Sequence, residues 1–164
     1  MSLAERACVI TIGIPSIHDL ETVAADIRVS DRRDMQGLHP GKPVYEILMG
    51  DVALSRMVYG LYLRGKIAAV FGVVPSGPGI GTPWLAASTC VERNKLSFAR
   101  MSVRMLDMIQ KPFPVLDTWV CAENSMSLHW HSWCGFEFAS ETVRIGRDRF
   151  YRAVRIVNKQ KEKI

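Results

Sequence analysis

Asn124-Ser-Met-Ser127-Leu-His-Trp130-His131-Ser-Trp-Cys-Gly135-Phe136 is the stretch on which the reading of the fold turns. Asn124 is a favourable N-cap residue, because its side-chain oxygen can take an orphan N–H of the first helical turn. Gly135 supplies the permissive backbone that ends a helix. Phe136 is an apolar anchor for whatever follows. The spacing predicts a short capped helix, and a core helix without any chemistry would account for these residues.

Upstream, Val115 to Ala122 reads as a buried strand. Arg93 to Gln110 is the strongest helix, with Leu96, Ala99, Val103 and Leu106 as its apolar seam and Arg93, Ser97, Arg100 and Arg104 opposite. Pro112 and Pro114 stop it. Earlier still, Met57 to Leu63 and Ile67 to Val74 flank the tight turn Arg64-Gly65-Lys66, which is hairpin chemistry. Pro75 to Pro83 reads as a Gly/Pro loop, and Trp84 to Thr89 as a third strand. The N-terminal part is a strand, Cys8 to Ile14, and three helices. The first has capping-box spacing at Ser16 and Asp19. Ser30-Asp31 caps the second, which runs to Leu38, and the third spans Val44 to about Arg56. Phe136 to Val143 and Phe150 to Val157 are the last two strands. A meander followed by a helical crossover indicates an α/β fold with a sheet of mixed direction.

Composition agrees with one globular domain. The chain has 164 residues, 48% hydrophobic and 23% charged, which argues against disorder. The uncharged stretch Ile67 to Cys90 holds three prolines and four glycines, so no membrane span is expected. Met1 to Arg6 does not read as a signal peptide. The cysteines Cys8, Cys90, Cys121 and Cys134 form no CxxC pair and read as buried free thiols of a reducing compartment. From Arg147 onward there are seven basic residues against two acidic, which equals the entire net charge of +5. The expected organisation is one domain over residues 1–157 and a basic tail over 158–164.

The order of elements, with the Asn124 to Phe136 stretch, resembles the GNAT acyltransferase fold: a mostly antiparallel, twisted mixed sheet flanked by helices. Three further runs narrow the resemblance: Arg28-Val-Ser-Asp31-Arg-Arg-Asp34-Met, Gly65-Lys-Ile-Ala-Ala-Val-Phe71-Gly72-Val, and Gly81-Thr-Pro83-Trp84-Leu85-Ala. These are similar to GNAT-like proteins grouped with the internal virion proteins of short-tailed bacteriophages. That resemblance implies a virion or host-cytoplasm location and other virion proteins as partners.

The same resemblance sets expectations for chemistry. Working members carry a glycine-rich loop whose N–H groups meet the pyrophosphate of acetyl-CoA at a helix start. The corresponding residues, Thr89-Cys90-Val91-Glu92-Arg93-Asn94-Lys95-Leu96, contain no glycine. Ser88, Thr89, Arg93, Lys95 and Asn124 are the candidate cofactor contacts. His131 occupies the place of the family's general-acid tyrosine, and Glu92 is the candidate base. The His129-x-His131 pair is not read as a metal site, since residues two apart on a helix diverge. Asp31 and Asp34 read as helix-start charges, with an acceptor groove as the alternative. Gly77-Pro-Gly79-Ile-Gly81 lacks the strand-to-helix context of a nucleotide loop.

The sequence reading therefore favours a virion-associated protein that binds other proteins through a GNAT-like fold, with no cofactor expected. The alternative is a divergent N-acetyltransferase that binds acetyl-CoA between the strands Trp84–Thr89 and Val115–Ala122. Salt-sensitive nucleic-acid contact through the basic C-terminus is a secondary expectation.

Overall fold

The computed structural model describes residues 9–157. Seven strands form one sheet in the order β1-β2-β3-β4-β5-β7-β6. They are β1 Ile10–Gly13, β2 Met57–Leu63, β3 Lys66–Gly77, β4 Ile80–Ala87, β5 Val115–Cys121, β6 Glu137–Ile145 and β7 Asp148–Ile156. The helices are α1 Ile17–Ala25, α2 Val29–Leu38, α3 Val44–Leu54, α4 Lys95–Gln110 and α5 Ser125–Trp133, with a 3₁₀ segment, Thr89–Asn94, leading into α4. Neighbouring strands are antiparallel except β4 and β5, which are parallel and pair only at Ile80 and Gly81. Beyond Gly81 the two strands part. The helical crossover between them, α4, is what a parallel neighbour requires.

The expected capping box of α1 is present: Ser16 Oγ accepts from Asp19 N at 3.1 Å and Asp19 Oδ2 accepts from Ser16 N at 2.9 Å. The β2–β3 turn places Arg64 and Gly65 at φ of 50° and 78°, the paired positive values of a type I′ hairpin. The other helix and strand expectations hold to within a few residues, with three corrections.

First, Pro75 to Pro83 is not a loop. β3 runs to Gly77 and β4 starts at Ile80, leaving only Pro78-Gly79 as the turn. The prolines fit because the sheet asks for no N–H there. Pro75 lies past the last β2 partner, Val73, and Pro83 turns its nitrogen toward the parting of β4 and β5. Second, α2 starts at Val29 after Arg28 and has no side-chain cap, so Ser30-Asp31 does not cap it. Third, the buried face of α4 is Phe98, Ser102, Met105, Leu106, Ile109 and Gln110; of the expected seam Leu106 is buried and Ala99 and Val103 are half-buried, but Leu96 is 76% exposed. A phase shift of the apolar stripe lets the larger Phe98 and Met105 fill the core.

Two cores flank the sheet. Leu61, Phe71, Val73, Phe98, Met105 and Leu116 belong to the α4 side. Val23, Val44, Leu48, Val70 and Ala86 belong to the side covered by α1 and α3. Gly81, where β4 leaves β5, has no room for a side chain: a Cβ there would meet Val73 Cγ2 at 2.5 Å and the Phe113 ring at 2.9 Å. Gly81→Ala is expected to lower stability by about 1–3 kcal/mol through overpacking, seen as a lower urea midpoint at unchanged slope.

Cys121 and Cys134 are buried free thiols as expected, while Cys90 is half-buried and Cys8 lies outside the described residues. Burial pushes the Cys134 thiol up to about 12, which leaves it inert. No helix among the described residues is long and apolar enough to cross a membrane.

Candidate functional site

The strand parting opens into a cavity of about 1100 Å³. That lies at the upper end of small-molecule sites. β4 and β5 contribute Leu85, Thr118 and Trp119, α4 contributes Lys95 and Leu96, and α2 and α5 close the remaining sides.

The hydrogen-bond alternation of β4 fixes what its edge presents. Just past the end of β4, Ser88 N bonds Ala68 O of β3, so even-numbered residues of β4 point their backbone groups at β3. Odd-numbered residues face the parting. Gly81 is used in pairing β5, Pro83 has no N–H, and Ala87 N donates to Asp31 Oδ2 at 2.8 Å. Leu85 therefore supplies the one backbone N–H that β4 aims into the parting without a protein partner.

α2 straddles the open end of this V. None of its residues is fully buried; Met35 packs against the core on the α1 and α3 side, and polar links supply the rest of its attachment. Asp31 fastens it to β4 through Ala87 N and takes a two-point contact from Arg28, at 3.1 Å from Nε and 2.8 Å from Nη2. Burial raises the Asp31 carboxyl, against the pull of Arg28 and the Ala87 amide. On the β5 side, Arg33 pairs with Glu123 at 2.7 Å, and Asp34 Oδ2 accepts from Asn124 Nδ2 at 2.9 Å. Asn124 uses both ends of its amide, since its Oδ1 also accepts from Ser127 N and caps α5. The other Asp34 oxygen, Oδ1, is buried and has no partner. Burial raises the Asp34 carboxyl to about 6, with nearby Asp31 adding to it and Asn124, Arg33 and Arg28 opposing. Asp34 lines the cavity.

His131 also lines the cavity, but as a neutral ring. Its Nδ1 lies 2.8 Å from Ser127 O and so carries the proton. The ring packs edge-on against Trp130 and Phe136, and burial lowers its pKa to about 4. At pH 7 it holds no imidazolium proton to give a leaving thiolate, which is the physical difficulty with the general-acid expectation.

The cavity brings together His131, Glu92, Lys95 and Asn124 among the expected site residues. Ser88, Thr89 and Arg93 are not in its wall. Ser88 Oγ contacts Cys90 Sγ, and Thr89 spends both its N–H and its hydroxyl on Asp26. Asp31 and Asp34 prove to be wall groups of the cavity, beyond the helix-start role expected of them. Leu85 was not anticipated, because its distinction lies in backbone phase. No group of three or more His, Cys, Asp or Glu side chains among the described residues has the arrangement of a metal site.

The basic C-terminal strand is largely committed internally. Arg152 forks onto Asp117, and Arg155 bonds Cys134 O, Gln110 and Asp107. The lysines at 159–163 lie outside the described residues.

No family model matches the sequence, and no curated protein matches it. Solved structures do. The chain is similar to the aminoglycoside acetyltransferase AAC(6')-Ib in complex with ribostamycin and coenzyme A, at TM-score 0.69 and 13% identity over 94% of this chain and 96% of that one. It is similar to the ribosomal-protein-S18-alanine N-acetyltransferase of Escherichia coli, at TM-score 0.64 and 18% identity over 95% and 99%. A Bacillus subtilis acetyltransferase in complex with CoA matches at TM-score 0.65 and 11% identity over 93% and 100%. The fold is that of the GNAT acetyltransferases. The expected likeness to phage virion proteins finds no support in these comparisons.

Proposed function

We propose that this chain is an acetyl-CoA-dependent N-acetyltransferase acting on an amine. The observation that carries it is the parting of β4 and β5 with the unpartnered Leu85 N–H at its edge. A hydrogen-bond donor fixed there can polarise a thioester carbonyl and hold the oxyanion that forms when an amine attacks. Two of the similar structures named above hold coenzyme A, which supports the choice of donor. The reaction is direct: the amine nitrogen bonds to the acyl carbon, the C–S bond breaks and the thiol leaves.

The missing glycines shift the pyrophosphate contact from backbone to side chain. The 3₁₀ segment Thr89–Asn94 occupies the place of the loop, and Lys95 and Arg100 in the cavity wall are cations available for the phosphates. Affinity for coenzyme A then falls with added salt. Calorimetric titration of the purified protein with acetyl-CoA and with CoA tests this reading. Binding in the micromolar range that weakens with salt is expected. No heat at millimolar ligand overturns the enzyme reading in favour of a fold kept for binding other proteins, the role that the likeness to virion proteins would imply.

A further inference from the structure

We infer that Asp34 is the general base of this site, taking the proton of the attacking amine on Oδ1 while Asn124 holds Oδ2. The inference rests on the acetyltransferase reading and names the residue that completes it. Three observations meet at this carboxylate. It stands in the wall of the cavity that Leu85 also lines. It lies one helical turn after Asp31, whose own carboxylate is bonded to Ala87, two residues from Leu85 on the same strand edge. Finally, its two oxygens are unequal: Oδ2 is fixed at 2.9 Å by Asn124 Nδ2, and Oδ1 is buried with no partner. A buried acceptor left empty is costly for the protein alone. Oδ1 has almost no accessible surface in the empty cavity, so the carboxyl turns about its Cβ–Cγ bond as the amine enters, and an N–H of the amine then satisfies it.

The proton balance is complete. As the N–C bond forms, the amine nitrogen becomes acidic and its proton passes to Asp34 Oδ1. Collapse of the tetrahedral adduct breaks the C–S bond, the thiolate takes a proton from water, and Asp34 returns its own to solvent. The charged groups around Asp34 are Arg28, Asp31 and Arg33 on α2 and its start, and Glu123 beside Asn124 on the β5–α5 connection, with Glu123 engaged by Arg33. Their balance with burial leaves the carboxyl near 6, suited to accepting a proton at neutral pH.

The same value fixes a stability sign. A carboxyl raised in the folded state from 3.8 to about 6 binds its proton more tightly there than in the unfolded chain. It therefore costs stability progressively as pH rises through that window, and fully above it. Asp34→Asn should raise the thermal midpoint above about pH 6 and leave it unchanged below about pH 4, so this variant folds.

The decisive experiment follows thiol release from acetyl-CoA with tyramine, and with water alone, in the wild type, Asp34→Asn, Asp34→Glu and Asp34→Ala. Acetyl-CoA binding is measured in parallel by calorimetry. The expected result is unchanged binding, a wild-type rate that rises through an inflection near pH 6, and a loss of about 10²–10⁴-fold in Asp34→Asn with the inflection gone. Added formate should restore Asp34→Ala at least about tenfold, and Asp34→Glu should keep part of the rate. A rate in Asp34→Asn within about twofold of wild type overturns the inference while leaving the enzyme intact, as does a rate lost without formate rescue. Failure of the wild type to bind acetyl-CoA removes the enzyme reading itself.

Discussion

Leu85→Pro is expected to fold, to bind acetyl-CoA, and to transfer acetyl about 10²–10³-fold more slowly than wild type, the loss typical for removing one donor to an oxyanion. Proline in a strand is usually destructive because it deletes a ladder hydrogen bond. Position 85 is an exception. Its Cα partner on β3 is Phe71, at a register where the β4 backbone groups point away from β3 and into the parting. Pro83, two residues earlier on the same edge, shows that the strand accepts the ring there. The change removes one N–H from the cavity without removing one from the sheet. Leu85→Ala is the control, since it trims the side chain and keeps the N–H. A kcat in Leu85→Pro within about tenfold of Leu85→Ala would sink the proposed role of this amide.

The contrast between Leu85 and Asn124 shows what a sequence can disclose. Asn124 and Gly135 were readable because capping has residue-type rules, and the N-cap bond to Ser127 N is present. The element order was readable for the same kind of reason: hairpin turns, proline stops and periodicity are local signals. The role proposed for Leu85 rests on a backbone amide, which every residue but proline has. Only the register with β3 and the departure of β5 single it out. The α4 seam was misplaced because Leu96 and Phe98 support two apolar stripes, and tertiary packing chose the one containing Phe98. Asp31 and Asp34 illustrate a third case. Their place near a helix start was visible, but their partners, Ala87 and Asn124, lie 56 and 90 residues away in the chain. No local rule links such positions. The resemblance to the GNAT fold reached the architecture, which survives wide sequence change, and the narrower likeness to virion proteins rested on three short runs, two of which lie on β3 and β4. Phe71, Gly72, Trp84 and Leu85 are in those runs because β3 and β4 need them: Gly72 has Met57 O at 2.6 Å and the Trp84 ring at 2.8 Å from where a Cβ would sit.

Asp31→Ala is the substitution expected to cost the most stability, about 3–5 kcal/mol, because it breaks a desolvated ion pair and leaves the other charge behind. The two side chains are 15% and 13% exposed, so water compensates Arg28 poorly once its partner is gone. Cation–π contact with Phe98, 5.6 Å from guanidinium carbon to ring centre, remains but does not replace a carboxylate. The Ala87 N–H also loses its acceptor. Since Met35 is the one apolar side chain by which α2 packs on the neighbouring core, and only partly buried there, the loss of this link loosens the helix from β4 and carries Asp34 with it. The expected readings are a urea midpoint shifted down at unchanged slope and a fall in amine transfer larger than the fall in acetyl-CoA affinity. The pair itself need not stabilise the fold relative to apolar residues, so Arg28→Met with Asp31→Leu should recover much of the stability. It should recover none of the transfer, because a leucine accepts no bond from Ala87 and leaves α2 unpinned. A double variant that regains both stability and transfer would mean that α2 needs no anchor on β4 to place Asp34.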